Sequence, residues 1–183
     1  GTGFTVFFES FFGGKGSRRS QGTGRSSGFG HNTPESDLAG EVPVSLREAY
    51  HGTERIIDLQ GEKIKVKIKP GAYDGLKLRV RGKGQRGSSG KAGDLYLTIR
   101  VESDPAYERK GNDLHTEASL ELFTALLGGK QEISTFSGKI NIAVTEGTQN
   151  GKIVRLKGKG MPVYGSAEEF GDLYVKLSVT LPT

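Results

Sequence analysis

The sequence predicts a mainly β protein: two tandem β-sandwich-like domains related by an internal repeat, each carrying one short helix. Three observations lead there. Residues 64–84 align on residues 140–160 after a shift of 76, apolar residues alternate with polar ones along several short runs, and 29 glycines punctuate those runs. With 33% apolar residues and no Trp, the core is expected to be modest and spread over two small units.

Taken in order, residues 1–40 do not read as folded. Gly, Ser, Thr and Arg dominate residues 13–30, a composition that buries too little surface to offset chain entropy. Ahead of it, Phe4, Phe7, Phe8, Phe11 and Phe12 have a spacing that suits one face of a short amphipathic helix, marginal without a partner surface. From Glu41 the period becomes two. Val42 and Val44 share a face, as do Ile57 and Leu59; Ile64, Val66 and Ile68 alternate with Lys65, Lys67 and Lys69. Leu76, Leu78 and Val80 alternate with Lys77, Arg79 and Arg81, and Leu95, Leu97 and Ile99 follow. Between the first two runs, Leu46, Ala49 and Tyr50 lie at helical spacing and Gly52 is a stop.

The repeat carries these features forward. Ile64/Ile140, Gly71/Gly147, Gly75/Gly151, Arg79/Arg155, Gly82/Gly158, Lys83/Lys159 and Gly84/Gly160 are identical, and Gly93-Asp94-Leu95-Tyr96 returns as Gly171-Asp172-Leu173-Tyr174 after a two-residue insertion. Leu122, Ala125 and Leu126 before Gly128 repeat the short helix. The expected division is therefore a linker over residues 1–40, a first unit over 41–110 and a second over 111–183. The shared glycines fall between strands, where positive φ is expected.

Composition excludes several functions. There is no Cys, so disulfides and thiolate metal sites are ruled out within the chain. His31, His51 and His115 lack metal-ligand spacing, so neither a metal nor a cofactor is expected. Gly24-Arg25-Ser26-Ser27-Gly28 matches the nucleophile-elbow pattern, but it lies in low-complexity sequence without the strand and helix that pattern needs. No Walker loop is present, and no catalytic residue is assigned. No apolar run is long enough to span a membrane, and the expected location is cytoplasmic. Charge is uneven: residues 63–86 hold nine basic side chains against Asp74, whereas residues 102–121 hold six acids against Arg109 and Lys110. The basic run reads either as a solvated strand face or as a patch for an acidic partner.

The series Glu41-Val42-Pro43-Val44-Ser45-Leu46, Pro70-Gly71, Gly82-Lys83-Gly84, Gly93-Asp94-Leu95 and Gly111-Asn112-Asp113-Leu114 resembles the C-terminal, substrate-binding half of DnaJ-type (J-domain) cochaperones. The second copy agrees through Gly147-Thr148-Gln149-Asn150-Gly151, Gly158-Lys159-Gly160-Met161-Pro162 and Gly171-Asp172-Leu173. The Phe/Gly stretch resembles the family's Gly/Phe-rich linker. Because the family's zinc-binding cysteine repeats would interrupt the first copy, the resemblance is to the zinc-free, CbpA-like class. It implies binding of unfolded client polypeptides and, in the full-length protein, their delivery to a DnaK-type chaperone. The His-Pro-Asp motif that stimulates that partner's ATPase is not in this chain. It also implies a homodimer for the full-length protein. This fragment is expected to be monomeric, because it stops where the family's dimerising helix should begin.

By the same resemblance, Val42, Ile57, Leu59 and Tyr107 line a peptide groove in the first copy. An edge strand supplies backbone groups that ignore sequence, and apolar pockets read side chains coarsely. The repeat serves as a control: Val42 corresponds to Ala118 and Leu59 to Thr135, and nothing corresponds to Tyr107. The competing reading is that the four are ordinary core residues. A competing function is DNA binding through residues 63–86 with Arg18, Arg19 and Arg25.

Overall fold

The computed structural model describes residues 36–181 apart from Gln60, Ser89 and Ala167. The expected helix over the Phe-rich stretch, and the linker as far as residue 35, lie outside the described residues. The order of elements runs twice. β1 (Leu38–Val44), α1 (Leu46–His51), β2 (Thr53–Leu59), β3 (Glu62–Ile68), β4 (Lys77–Val80) and β5 (Leu95–Val101) make the first copy. A three-residue strand, β6 (Glu108–Lys110), leads into the second: β7 (Asp113–Glu121), α2 (Leu122–Leu127), β8 (Gly129–Thr135), β9 (Gly138–Val144), β10 (Ile153–Leu156) and β11 (Leu173–Thr180).

Each copy pairs a mixed sheet with a hairpin. In the first, β1 runs parallel to β5 and β4 antiparallel to it, while among the described residues β2 and β3 pair only with each other. In the second, β7 runs parallel to β11, β10 antiparallel to it, and β8 and β9 form the hairpin. Register repeats as well: Leu38 opposes Leu95 as Leu114 opposes Leu173, and Lys77 opposes Thr98 as Ile153 opposes Lys176. The alternation seen in sequence decides which face is inward. Val42, Val44, Ile57, Ile64, Val66, Ile68, Leu95, Leu97 and Ile99 are buried in one cluster, so sheet and hairpin close on each other as a sandwich. Each such side chain contributes roughly 1.5–3 kcal/mol of burial.

β1 begins at Leu38, ahead of the Glu41 start expected from alternation. Leu38 donates its N–H to the Asp94 carbonyl at 2.8 Å, and Ser36 bridges to Gln85. Ala39 and Gly40 have weak strand propensity, so only the pairing with Tyr96 and Leu97 reveals them as strand. The helix α1 has six residues, too few to persist alone, and a capping box holds its start. Ser45 Oγ accepts the Glu48 N–H, and the Glu48 carboxylate accepts the Ser45 N–H at 2.9 Å. At α2 the N-cap residue is Glu121, which makes no side-chain cap.

The identities shared by the copies form one device. Asp94 accepts from Arg79 Nε at 2.7 Å and from the Gly82 N–H at 2.9 Å, and its own N–H donates to Asp37. Asp172 does the same with Arg155, Gly158 and Asp113 at matching distances. The Gly82 and Gly158 N–H groups, followed by the arginines, hold both carboxyls below the ordinary aspartate value. Gly82 and Gly158 have φ of 68° and 71°, as turns require. Gly84 and Gly160 are needed for a different reason from the one expected. A Cβ on Gly84 would lie 2.5 Å from the Gly93 backbone, and one on Gly160 would lie 2.6 Å from the backbone of Asn112 and of Asp172.

The copies meet through a joint. Gly71 packs so closely on the loop at Pro162 and Tyr164 that a Cβ there would come within 2.5 Å of the Pro162 carbonyl. Arg109 donates to the carbonyls of Ala72 at 2.6 Å, Gly71 at 3.3 Å and Gly111 at 2.8 Å. Burial lowers the pKa of this guanidinium. Tyr50 of α1 lies against Phe136 and Phe170 of the second copy, with ring centroids 5.3 and 6.2 Å apart.

Candidate functional site

A strand that can accept a further strand needs an unpaired edge and an apolar face beside it. Among the described residues β1 is the end strand of its sheet, and β2 has β3 on one side only. Both are therefore open edges of the first copy, as β4 and β3 are at the far sides of the same two sheets. Val42 lies on β1 and Ile57 and Leu59 on β2, all pointing inward and 2%, 1% and 9% exposed. Without a peptide, these three side chains are packed in the sandwich and belong to its core cluster. On the outer face of β2, Glu54, Ile56 and Asp58 are exposed, and Ile56 is 65% accessible. What the molecule offers is thus a free backbone edge above an apolar floor.

Tyr107 occupies a different place. Its hydroxyl donates to the Ser134 carbonyl at 2.7 Å and its ring lies 4.6 Å from that of Phe136, both in the second copy. Burial, with Asp104 adding to it, raises the phenol pKa. Asp104 also accepts the N–H groups of Ala106 and Tyr107, which fixes the turn before the tyrosine. So the structure places Val42, Ile57 and Leu59 in the first sandwich and Tyr107 at the joint.

Of the aromatics at the joint, Tyr50 and Tyr107 stand out in the sequence, whereas Phe136 and Phe170 do not. Phe136 lies in the turn between β8 and β9, yet it is 6% exposed, covered by Tyr50 and Tyr107 with the Arg47 guanidinium 5.5 Å from the ring centroid. A large apolar side chain at a hairpin tip was the available signal, since tips otherwise favour polar residues.

The basic run is partly neutralised. Lys65 pairs with Glu54 at 2.7 Å, Lys83 pairs with Glu62, and Arg79 is held by Asp94. These contacts spend charge within the first copy that a phosphate-binding stripe would leave free. Among the described residues no three His, Asp or Glu side chains are grouped as a metal would need, and no helix is long and apolar enough to cross a membrane.

Comparison with known proteins accounts for this architecture. A family model described as the DnaJ C terminal domain matches residues 38–182. The chain is 37% identical over 180 residues to Chaperone protein DnaJ 2 of Thermus thermophilus, covering 98% of this chain and 59% of that protein. It is 36% identical over 180 residues to Chaperone protein DnaJ of Deinococcus proteolyticus, covering 98% and 54%. With Chaperone protein DnaJ of Brucella canis it shares 41% identity over 145 residues, covering 78% and 38%. The chain spans about half the length of the curated relatives it matches. Two sandwiches in tandem, a repeated Arg–Asp–Gly device and these matches agree: the chain belongs to the DnaJ C-terminal domain family.

Proposed function

We propose that the chain is the client-binding region of a cochaperone and holds extended segments of unfolded polypeptide on its first copy. The free edge of β2 carries this reading: it can extend the hairpin by one strand through backbone hydrogen bonds, which any client sequence supplies. Alternate client side chains then face the floor of Val42, Ile57 and Leu59, and Tyr107 bounds the site at the joint. Client entry requires that floor to open or to be met from above, because its residues are buried in the free chain. The uninterrupted first copy, without cysteine, supports the zinc-free class. In the whole protein the client passes to a DnaK-type chaperone, and homodimerisation belongs to that longer protein.

The test is backbone-specific. An apolar peptide methylated on alternate backbone nitrogens keeps its side chains but loses the donors that face a strand edge. Its affinity should fall about tenfold relative to the unmethylated peptide, on the order of one to two hydrogen bonds. Equal affinities would mean that the edge of β2 takes no part.

A further inference from the structure

The turn that leads into β10 carries a reactive pair. Of the chain's four asparagines only Asn150 is followed by glycine. In Asn-Gly the backbone nitrogen attacks the neighbouring carboxamide most readily, because glycine has no side chain to shield it. Asn150 is exposed and Gly151 partly buried, and both line an open hollow of about 470 Å³ with Gly147, Gln149 and Lys152, so water reaches them. A Cβ on Gly151 would meet nothing within 4 Å. In the closed turn, however, both reacting groups are tied to β11. Asn150 Oδ1 accepts the Val179 N–H at 2.9 Å, and the Gly151 N–H donates to the Leu177 carbonyl at 2.7 Å. The first copy builds the same turn with an acid. Asp74 Oδ1 accepts the Val101 N–H at 3.0 Å, the Gly75 N–H donates to the Ile99 carbonyl at 2.8 Å, and Gly75 and Gly151 have φ of 84° and 82°.

We propose that Asn150-Gly151 is a self-modification site, a deamidation site latched by β11 and released when β10 leaves the sheet. The reaction requires the Gly151 nitrogen to give up its proton and close on Asn150 Cγ. As that bond forms, the Cγ–Nδ2 bond breaks, ammonia departs with the proton, and a cyclic imide remains. Water then opens the imide. Cleavage at Cγ restores the backbone with an aspartate side chain, and cleavage at the backbone carbonyl leaves a chain linked through Cγ. Nothing is oxidised or reduced: an amide and water become an acid and ammonia. In the folded copy the Leu177 carbonyl holds the proton that must leave, and the Val179 N–H fixes the carboxamide that must turn. Among the described residues β10 is an end strand, paired with β11 alone, so it can peel away without the rest of the sheet. The aspartate product is what the first copy already carries at Asp74, so it can remake the bond to Val179. The Cγ-linked product has an extra backbone atom and cannot close the turn. Openings of β10 are thereby recorded irreversibly in the second copy.

Peptide mapping by mass spectrometry follows amide-to-acid conversion in the full chain at mildly alkaline pH, with the same chain unfolded in urea as reference. Once unfolded, Asn150 should react ahead of the other asparagines, and folding should slow it by at least about tenfold. Val154→Ala, which loosens β10 from the core, should speed the folded chain's reaction about tenfold. Ile153→Gly weakens the same strand from its exposed side without opening a cavity, and should act in the same direction. Leu78→Ala, the counterpart of Val154→Ala in β4, should leave the rate unchanged. Asn150→Asp should keep the denaturation midpoint of the unaltered chain, as Asp74 does its work in the first copy. Equal rates in the folded and unfolded chain overturn the latch, as does another asparagine reacting first in urea. Acceleration by Leu78→Ala as great as by Val154→Ala, or none by either β10 variant, refutes release through β10. A lowered midpoint for Asn150→Asp refutes the equivalence of the two turns.

Discussion

The first copy and the second share a register and a buried face, yet they differ at the strand edges. β7, the counterpart of β1, has β6 along its outer side where Glu108 opposes His115 and Lys110 opposes Asp113. Among the described residues β1 has no such neighbour. Side chains change in the same direction: Val42 and Leu59 of the first copy become Ala118 and Thr135. The second hairpin also spends its tip, because Phe136 is held by Tyr50 and Tyr107. The edge of β8 stays as open as that of its counterpart β2, so what the second copy gives up is the edge of β7 and the apolar bulk. Duplication supplied two equal sandwiches, and the contacts between them assigned different work to each.

The largest effect expected is on the shared core. Ile57 and Ile133 occupy equivalent inward positions, 1% and 2% exposed, and Ala at either should cost roughly 2–5 kcal/mol of stability. Chemical denaturation of both variants checks this. A near-zero cost at Ile57 alone would break the equivalence and show that this side chain lines an open groove instead of a packed core.

Next comes the joint. Arg109→Ala removes charge-assisted hydrogen bonds to three carbonyls and should cost about 1–3 kcal/mol. Hydrogen exchange should quicken in the 70–75 loop while the β5 and β11 cores stay protected. A single undisturbed transition with unchanged exchange would show that the copies hold together without the clamp.

The difference in apolar bulk can be transplanted. Val42→Ala with Leu59→Thr gives the first copy the side chains of the second, and peptide binding should weaken by about tenfold, or roughly 1.4 kcal/mol. Fluorescence titration with the unmethylated apolar peptide measures it. Undiminished binding by a folded variant would place the client elsewhere.

The smallest effect concerns acid. Asp94 and Asp172 have folded pKa values lowered from 3.8, first through Gly82 and Gly158 and then through their arginines. A lowered carboxylate contributes stability that is fully present above its unfolded value and is lost as pH falls through the folded one. The share of stability that these two aspartates hold should therefore fade below about pH 3.8, and Asp94→Asn should flatten that part of the loss in the first copy. Tryptophan is absent, so tyrosine fluorescence against pH reads it. Acid sensitivity unchanged by Asp94→Asn would place the responsible groups outside the repeated device.

Much of this was legible in the residues alone. The alternation of Ile64, Val66 and Ile68 with lysines set the buried face of β3, because a strand turns successive side chains to opposite sides whatever surrounds it. The repeat of Gly82 and Asp94 as Gly158 and Asp172 announced two equal units, since each pair closes a turn within its own copy. Leu46, Ala49 and Tyr50 marked α1 by their helical spacing, with Gly52 as its stop. These are local matters of period, turn and cap, and sequence by itself determined them. Other features needed the whole molecule. That β6 covers β7, that Arg109 reaches Gly71 and Ala72, that Phe136 is buried at a hairpin tip, and that Tyr107 stands at the joint against it all depend on residues far apart in the chain. Only tertiary packing decided them, because an edge is open or covered, and an aromatic is exposed or buried, according to which distant segment arrives beside it.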